Sequence, residues 1–190
     1  MVTICSVCGR ESRIGFNHKE CNNLTFLDGH IYAFAYEGII KSLIMDVKFK
    51  YQFAVIETFS KILSDYLTFY RFDDSWTISF VPMSGKRFLE RGFNQGELLA
   101  KQIANLQLKK CCGFLKKINR THSQVGLGGN DRRLNLLNAF IAKPKMHIPE
   151  NIILVDDVFT TGTTLNECAK VLKENGAKKV VGLTIARSIK

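Results

Sequence analysis

One segment, residues 152–185, constrains the fold of this chain more than any other. An apolar run at 152–155 and a second at 180–185 are each typical of a buried parallel strand. Between them, Gly176 suits the end of a helix. It follows four apolar residues at helical spacing: Leu165, Cys168, Ala169 and Leu172. The segment therefore predicts a strand–loop–helix–strand unit, as in α/β folds.

The turn after the first of these strands carries residues suited to binding a ligand. Asp156 and Asp157 end the strand, and a turn of threonine and glycine follows at 160–164. Ligands of open parallel sheets bind beyond the carboxyl ends of the strands. N–H groups of such a turn, beside a helix N-terminus, hold anions, and paired carboxylates suit vicinal hydroxyls or hydrated magnesium. The pattern predicts a site for a ribose bearing a phosphate; the alternative is a plain helix cap beside two surface acids.

The N-terminal segment carries two ligand pairs with the spacing of a zinc site. Two residues separate Cys5 from Cys8, and two separate His18 from Cys21. Two such pairs make a closed tetrahedral site of three thiolates and one imidazole. We predict a structural zinc ion here, which would supply much of the folding energy of the segment. Two alternatives stay open: unrelated thiols beside a surface histidine, or a site in which water or another ligand replaces His18.

Positive charge is concentrated in the middle of the chain. Residues 86–145 hold 13 basic and 3 acidic side chains, and the net charge of the whole chain is +10. Such a block fits a polyanion, either nucleic acid or a phosphorylated metabolite, although a solvated lysine-rich surface has the same composition. Phe88, Phe93 and Phe114 lie in this block and could stack on bases, but phenylalanine at such positions is more often core.

Length and apolar patterning favour one globular domain with a small appendage. The chain has 190 residues, enough to bury a core. Apolar residues recur at helical spacing over 36–50, 53–69 and 94–108, and each segment predicts an amphipathic helix packed on the core.

The sequence also bears on the cellular compartment. No uncharged apolar run approaches the roughly 18 residues that a membrane span needs, and the first residues lack the layout of a secretory signal. We therefore expect a cytoplasmic protein that does not span the membrane. In a reducing cytoplasm, six cysteines indicate metal binding or free thiols rather than disulfides.

Several blocks of the sequence resemble a known family. The segment 155–164, Val-Asp-Asp-Val-Phe-Thr-Thr-Gly-Thr-Thr, closely resembles the phosphoribosyl-pyrophosphate signature of type I phosphoribosyltransferases. Residues 80–82 (Phe-Val-Pro), 91–95 (Arg-Gly-Phe-Asn-Gln) and a block from 120 to 140 are similar to the ComF family of competence proteins. Lys-Phe-Lys at 48–50 and the cysteine–histidine pattern also fit that family. The resemblance covers nearly the whole chain.

The resemblance implies a fold and a division of the chain. We expect an α/β fold of the type I phosphoribosyltransferase kind, a parallel sheet with helices on both faces, at residues 29–190. A small zinc-binding knuckle would precede it at residues 1–28. The chain departs from the family at His18, Asp131 and Asn138, where cysteine, glutamate and glycine are usual.

The resemblance also assigns roles around the acidic strand end. Asp156 and Asp157 would contact the ribose hydroxyls of phosphoribosyl pyrophosphate, directly or through magnesium. The turn that follows would hold the 5-phosphate through five residues: Thr160, Thr161, Gly162, Thr163 and Thr164.

Two other segments would complete this site by resemblance. The loop after a strand at 77–82 matches the pyrophosphate loop, where Lys86 and Arg87 are the expected partners. Arg120 and the glycine-containing segment 121–133 resemble the mobile loop that closes over the site and excludes water.

The family resemblance implies a function in natural transformation. The protein would handle imported single-stranded DNA at the cytoplasmic side of the inner membrane, with other competence proteins as candidate partners. Two alternatives stay open: a metabolic phosphoribosyltransferase acting on an unknown base, and a sensor that binds phosphoribosyl pyrophosphate without turnover. Purine-type members often carry an aspartate where Thr160 stands, which argues against purine salvage and leaves no evident general base. The sequence assigns neither a catalytic residue nor an acceptor.

Overall fold

Four parallel strands form the central sheet of the protein. A computed structural model describes residues 4–12, 15–118 and 139–188. These residues contain the strands of two sheets: β1 (Gly29–Ala35), β2 (Trp76–Phe80), β3 (Leu115–Lys117), β4 (Phe140–Ala142), β5 (Asn151–Phe159) and β6 (Lys179–Arg187). The central sheet has the strand order β1-β6-β5-β2, and every neighbouring pair of strands is parallel. Strands β3 and β4 form a separate antiparallel pair.

Helices connect the strands and cover both faces of the sheet. They are α1 (Gly38–Lys50), α2 (Phe53–Phe69), α3 (Gly85–Arg91), α4 (Gln95–Leu106) and α5 (Thr163–Glu174), and a 3-10 helix spans Lys19–Leu24. Side chains alternate along β5: Ile153 and Val155 pack in one core with α1, α2 and α4. Ile152 and Leu154 pack in a second core with α5 and the β3–β4 pair. A strand buried on both faces explains why residues 152–155 are continuously apolar.

The predicted elements are found with small shifts at their ends. The strand predicted from 152 runs from Asn151 to Phe159, and the three predicted amphipathic helices are α1, α2 and α4. The α/β architecture, a parallel sheet with helices on both faces, is confirmed. Within the described residues, the helices are too short or too polar to cross a membrane. The division of the chain at residues 28 and 29 stays a prediction, although β1 begins at Gly29.

The N-terminal segment is attached to α5. Oδ1 of Asn166, in the first turns of α5, accepts hydrogen bonds from Thr25 Oγ1 and the Phe26 N–H, both at 2.6 Å. Asp28 pairs with Lys173 at 2.9 Å and accepts a hydrogen bond from the Val180 N–H at 2.7 Å. These contacts fix the segment beside the helix that follows the threonine turn.

A buried histidine links the edge strand β1 to β6. His30 is 1% exposed, and its Nε2 lies 2.9 Å from Thr184 Oγ1. Thr184 donates its own proton to the Ala186 carbonyl, so His30 Nε2 carries the hydrogen and donates it. Nδ1 then has a lone pair and, among the described residues, no partner. Burial, with the positive charge of Arg187, holds the pKa of His30 well below its usual value.

This histidine predicts a loss of stability in acid. Below about pH 6.5 the unfolded chain binds a proton at this position and the folded chain does not, so stability falls as the pH falls through that value. One such proton contributes a slope of at most about 1.4 kcal/mol per pH unit. Denaturant unfolding at pH 7.5 and pH 5 should show a larger acid loss for the native chain than for His30→Gln. His147→Gln, at an exposed position, is the control, and parallel behaviour of His30→Gln and the native chain would refute the assignment.

Candidate functional site

A cavity of about 300 Å³ opens at the carboxyl ends of β2 and β5. Its volume is at the lower end of the range for small-molecule sites, roughly 300–1,000 Å³. Its polar lining side chains are Tyr36, Lys48, Ser84, Arg87, Arg91, Asn94, Gln95, Lys117, Asp156, Asp157, Thr160 and Thr164. Both predicted carboxylates therefore lie in one cavity with two of the predicted threonines.

The two carboxylates have different surroundings. Asp157 Oδ2 forms an ion pair with Lys48 Nζ at 2.5 Å. Asp156 Oδ1 accepts a hydrogen bond from the Asp157 N–H at 2.9 Å. Burial and then the negative charge of Asp157 raise the pKa of Asp156 to about 7, against the opposing effects of that hydrogen bond and of Lys48. A cation bound beside Asp156 would favour its ionised form.

Cationic side chains surround the rest of the cavity. Arg87 reaches it from the first turn of α3, which begins after Ser84, whose Oγ accepts from the Arg87 N–H at 3.4 Å. Lys117 reaches it from β3, and burial lowers the pKa of its ammonium group. With Lys48 and Arg91, four cationic side chains face two carboxylates, an excess of positive charge that suits a ligand with several negative charges.

The Arg-Gly-Phe-Asn-Gln block forms the turn between α3 and α4. Gly92 ends α3 with a φ of 76°, which glycine adopts without strain. Asn94 begins α4, where its Oδ1 accepts from the Gly96 N–H at 3.0 Å and its Nδ2 donates to the Val81 carbonyl at 2.9 Å. Gln95 is 4% exposed and lines the cavity, and its Nε2 has no partner among the described residues. The block thus places Asn94 and Gln95 at the wall of the cavity.

The threonine turn is shared between cavities. Thr160 and Thr164 line the main cavity, and with Asp156 and Gly162 they enclose a smaller one of about 20 Å³. Thr161 and Thr163 lie 2.9 Å apart through their hydroxyls and line another cavity of about 280 Å³, beside the N-terminal segment. The predicted phosphate turn is therefore divided, with Gly162 at the boundary.

Gly162 is the position of the turn with the least room for a side chain. It precedes α5 with a φ of 76°, and an added Cβ would lie 2.3 Å from the ring of Phe159. Gly162→Ala should therefore destabilise the fold by roughly 2–4 kcal/mol, from the left-handed backbone and the overpacking. Urea unfolding measures the loss. Gly85→Ala, where nothing lies within 4 Å of the added Cβ, is the control; equal stability of the two variants would contradict the steric argument.

The N-terminal cysteines and histidine form one cluster. The ligand atoms of Cys5, Cys8, His18 and Cys21 all lie within 4.8 Å of one another. Ligands of a tetrahedral zinc site are about 3.8 Å apart when the bonds are about 2.3 Å long. The four residues could therefore hold a metal ion such as zinc after a small contraction.

Hydrogen bonds around the cluster fix the form of His18. Its Nε2 lies 2.8 Å from the Glu11 carbonyl oxygen, which can only accept, so Nε2 carries the hydrogen. In the neutral ring Nδ1 then keeps its lone pair, and it lies 3.4 Å from Cys8 Sγ. An imidazole with one nitrogen donating to a carbonyl and the other facing the ligand atoms is the usual arrangement of a metal-binding histidine. The backbone N–H of Arg10 lowers the pKa of Cys8 to about 6, which favours the thiolate.

Several other predicted residues lie away from the main cavity or outside the described part. Lys86 is exposed on α3, outside the cavity lining. Arg120 and the segment 121–133 lie outside the described residues. Phe114 is buried, as its core interpretation predicts, whereas Phe88 is 46% exposed.

Sequence reasoning assigned no ligand role to several side chains that line the cavity: Tyr36, Lys48, Arg91, Asn94, Gln95 and Lys117. Four of them lie in blocks that resemble the ComF family, and that resemblance is the sequence signal that could have pointed to a role in the site: Lys48, Arg91, Asn94 and Gln95. For Tyr36 and Lys117, only the fold brings the side chain to the cavity.

Comparisons with known proteins agree with the resemblance. The chain is 32% identical to Competence protein F of Haemophilus influenzae over 97% of its own length and 84% of that protein. It belongs to the family of Competence protein F. Another member, Competence protein ComFC of Streptococcus pneumoniae, is 30% identical over 83% of the chain and 68% of that protein. No family model matches the chain.

Among solved structures, a purine phosphoribosyltransferase from Pyrococcus horikoshii aligns with this ComF-family chain. The TM-score is 0.41 at 15% identity, over 70% of the chain and 82% of that structure. A similarity at this level does not indicate a shared activity.

Proposed function

We propose that this ComF-family chain handles imported single-stranded DNA in natural transformation, at the cytoplasmic side of the inner membrane. We propose also that its main cavity binds phosphoribosyl pyrophosphate with magnesium. The observation that carries the ligand is the composition of the cavity, in which two carboxylates, two threonines and four cationic side chains surround one volume. The names of the relatives support the role in competence.

Each part of the ligand has partners of suitable chemistry in the cavity. Asp156 and Asp157 suit the ribose hydroxyls, or a magnesium ion that also binds the pyrophosphate, since Mg²⁺ takes one or two carboxylates plus substrate phosphates. Thr160, in the turn before α5, and Thr164, in its first turn, suit the 5-phosphate. Arg87 suits the pyrophosphate oxygens.

Magnesium would supply charge neutralisation for the pyrophosphate when bound. The chain's own residues would do the rest: the carboxylates orient the ribose, and the ion pair with Lys48 holds the Asp157 side chain in place before the ligand binds. Ligand binding must compete with that pair, so part of the binding energy would go into displacing Lys48.

Calorimetric titration with phosphoribosyl pyrophosphate, with and without magnesium, tests the ligand. We expect saturable binding that strengthens with magnesium. No heat at millimolar ligand in both conditions would refute the assignment of the cavity.

The DNA part of the proposal rests on charge. Residues 86–145 carry an excess of ten positive charges, so phosphate contacts should release counterions. The logarithm of the association constant for an oligonucleotide should fall with the logarithm of salt concentration, by about 0.7 per phosphate contact. Fluorescence anisotropy measures it; absence of binding at low salt would refute this part alone.

We also propose that Cys5, Cys8, His18 and Cys21 hold a structural zinc ion. The compact cluster and the hydrogen bond from His18 Nε2 to the Glu11 carbonyl, which leaves Nδ1 to face the cysteines, support it. The residues before β1 would then form a metal-bound knuckle at 1–28, and residues 29–190 the ligand-binding domain.

Phosphoribosyl transfer is the second candidate function. It is favoured by the position of Asp156 in the cavity, since a carboxyl group with a pKa of about 7 in the ligand-free chain can exchange a proton near neutral pH while no cation is bound beside it. Pyrophosphate release on offering a panel of bases would support turnover. Binding of intact ligand without any product would leave a sensor.

A further inference from the structure

A group of aromatic side chains lies exposed beside the main cavity. Phe49 is 60%, Tyr51 55% and Phe53 47% exposed. The ring of the half-buried Phe93 lies 5.7 Å from that of Tyr51 and 5.1 Å from that of Phe53. We call these four residues the aromatic surface. The rings of Tyr51, Phe53 and Phe93 contact one another, and Phe49 precedes Tyr51 by two residues at the end of α1. Single exposed apolar residues are common, but a group of them marks a binding surface.

The backbone holds the aromatic surface in place. Tyr51 ends α1 with a φ of 56°, a left-handed conformation that glycine or asparagine usually occupies and that a bulky residue rarely adopts. Helix α2 begins two residues later, at Phe53. The tight connection therefore presents Tyr51 and Phe53 from one short segment, next to the Phe93 turn.

Positive charge borders the aromatic surface. The guanidinium carbon of Arg91 lies 5.3 Å from the ring centre of Phe49, and Arg91 also lines the main cavity. On the same helix, Lys86 and Arg87 form no ion pair within the described part of the chain. Arg91 therefore connects the aromatic surface to the cavity, with further free cations on α3.

We propose that the aromatic surface, with Arg91, is where bases of single-stranded DNA stack. The proposal deepens the function given above and rests on it. Exposed rings interleaved with arginine suit single strands, because every base has a face that can stack and every nucleotide carries a phosphate for a cation. A duplex hides its base faces, so the surface favours single strands over double strands.

An oligonucleotide with and without bases provides the test. Anisotropy titrations use a labelled oligodeoxythymidine and an abasic oligonucleotide of equal length, with the full-length native chain and with Phe49→Leu/Phe53→Leu. Leucine keeps apolar volume but cannot stack. We expect the variant to bind the thymidine oligonucleotide about 5- to 150-fold more weakly for each stacked base lost. Its affinity for the abasic strand and its salt dependence should not change, because the phosphate contacts remain.

Phe69→Leu is the matched control, since Phe69 is 68% exposed at the other end of α2; it should bind like the native chain. Circular dichroism and thermal unfolding check that each variant folds.

A second measurement needs no variant: an oligonucleotide carrying 5-iododeoxyuridine should crosslink on irradiation to peptides containing Phe49, Tyr51, Phe53 or Phe93.

The outcomes separate this surface from the proposed function. If the native chain binds the thymidine and abasic strands equally, or if crosslinks map elsewhere, DNA handling stands and the aromatic surface is refuted. If the native chain binds neither strand, the proposed DNA function fails, and the surface with it. If the double variant keeps its DNA affinity but loses binding to phosphatidylcholine–phosphatidylserine vesicles, the surface contacts a membrane instead and the inference is wrong.

Discussion

Phosphoribosyl pyrophosphate should bind at least about 100-fold more weakly to Asp156→Asn/Asp157→Asn than to the native chain. Asparagine has the size of aspartate but lacks its charge, so the variant removes two charged contacts worth about 1.5–3 kcal/mol each. Calorimetry with magnesium present measures the loss. Asp65→Asn/Glu174→Gln, with the same charge change at exposed positions on α2 and α5, is the control. Equal affinities of the two variants would show that the carboxylates do not hold the ligand.

The single substitution Asp156→Asn should separate binding from folding. The pKa of Asp156 is raised to about 7 in the folded state, above the value of about 3.9 for an unfolded chain. The folded chain therefore loses stability as the pH rises between these values, and the loss persists above pH 7. Asp156→Asn alone should unfold at the same or a higher temperature than the native chain at pH 8. A strongly lowered unfolding temperature would mean that Asp156 is a structural residue.

Loss of one thiol should empty the N-terminal metal site. Cys5 is fully buried within the cluster, and a closed site needs all four ligands. The zinc content should therefore fall from one ion per chain in the native protein to nearly none in Cys5→Ser. Plasma mass spectrometry after dialysis measures it. Because metal binding provides folding energy, the variant should also lose several kcal/mol of stability to unfolding.

The control for the metal site is Cys112→Ser, a half-buried cysteine outside the cluster. It should keep its zinc and its metal-dependent stability. Zinc content in Cys5→Ser equal to that of the native chain would contradict the site. Loss in both variants would indicate adventitious thiol binding.

The central unit of the fold could be predicted from the sequence because its signals are local. Residues 152–155 are continuously apolar since β5 is covered on both faces. The apolar spacing within 163–174 reflects one buried side of α5. Periodicity reports burial within a few residues, and here burial followed directly from the secondary structure.

Other elements depend on partners that are distant in the sequence. Strand β1 pairs with β6, about 150 residues further along, with Gly29 opposite Val181. Strands β3 and β4 have three residues each, too few for a periodic pattern. The sequence contains these strands but no local sign of their pairing.

The candidate site shows the same division. Asp156 and Asp157 could be selected because they follow the apolar run of a strand that is evident from the sequence, although β5 continues to Phe159. Lys48 pairs with Asp157 only because α1 passes the end of β5, and Lys117 reaches the cavity from β3. The division of the threonine turn between two cavities depends on the contact between the N-terminal segment and α5. Such contacts follow from tertiary packing and have no local signature.

The strand order has a consequence for synthesis of the chain on the ribosome. β5 and β6 occupy the middle of the sheet, and β1 and β2 its edges, yet the edge strands are translated first. Neither β1 nor β2 finds its neighbour until residues 151–187 have left the ribosome. Until then the apolar sides of α1, α2 and α4 lack the sheet on which they pack in the folded chain, which favours chaperone capture during translation.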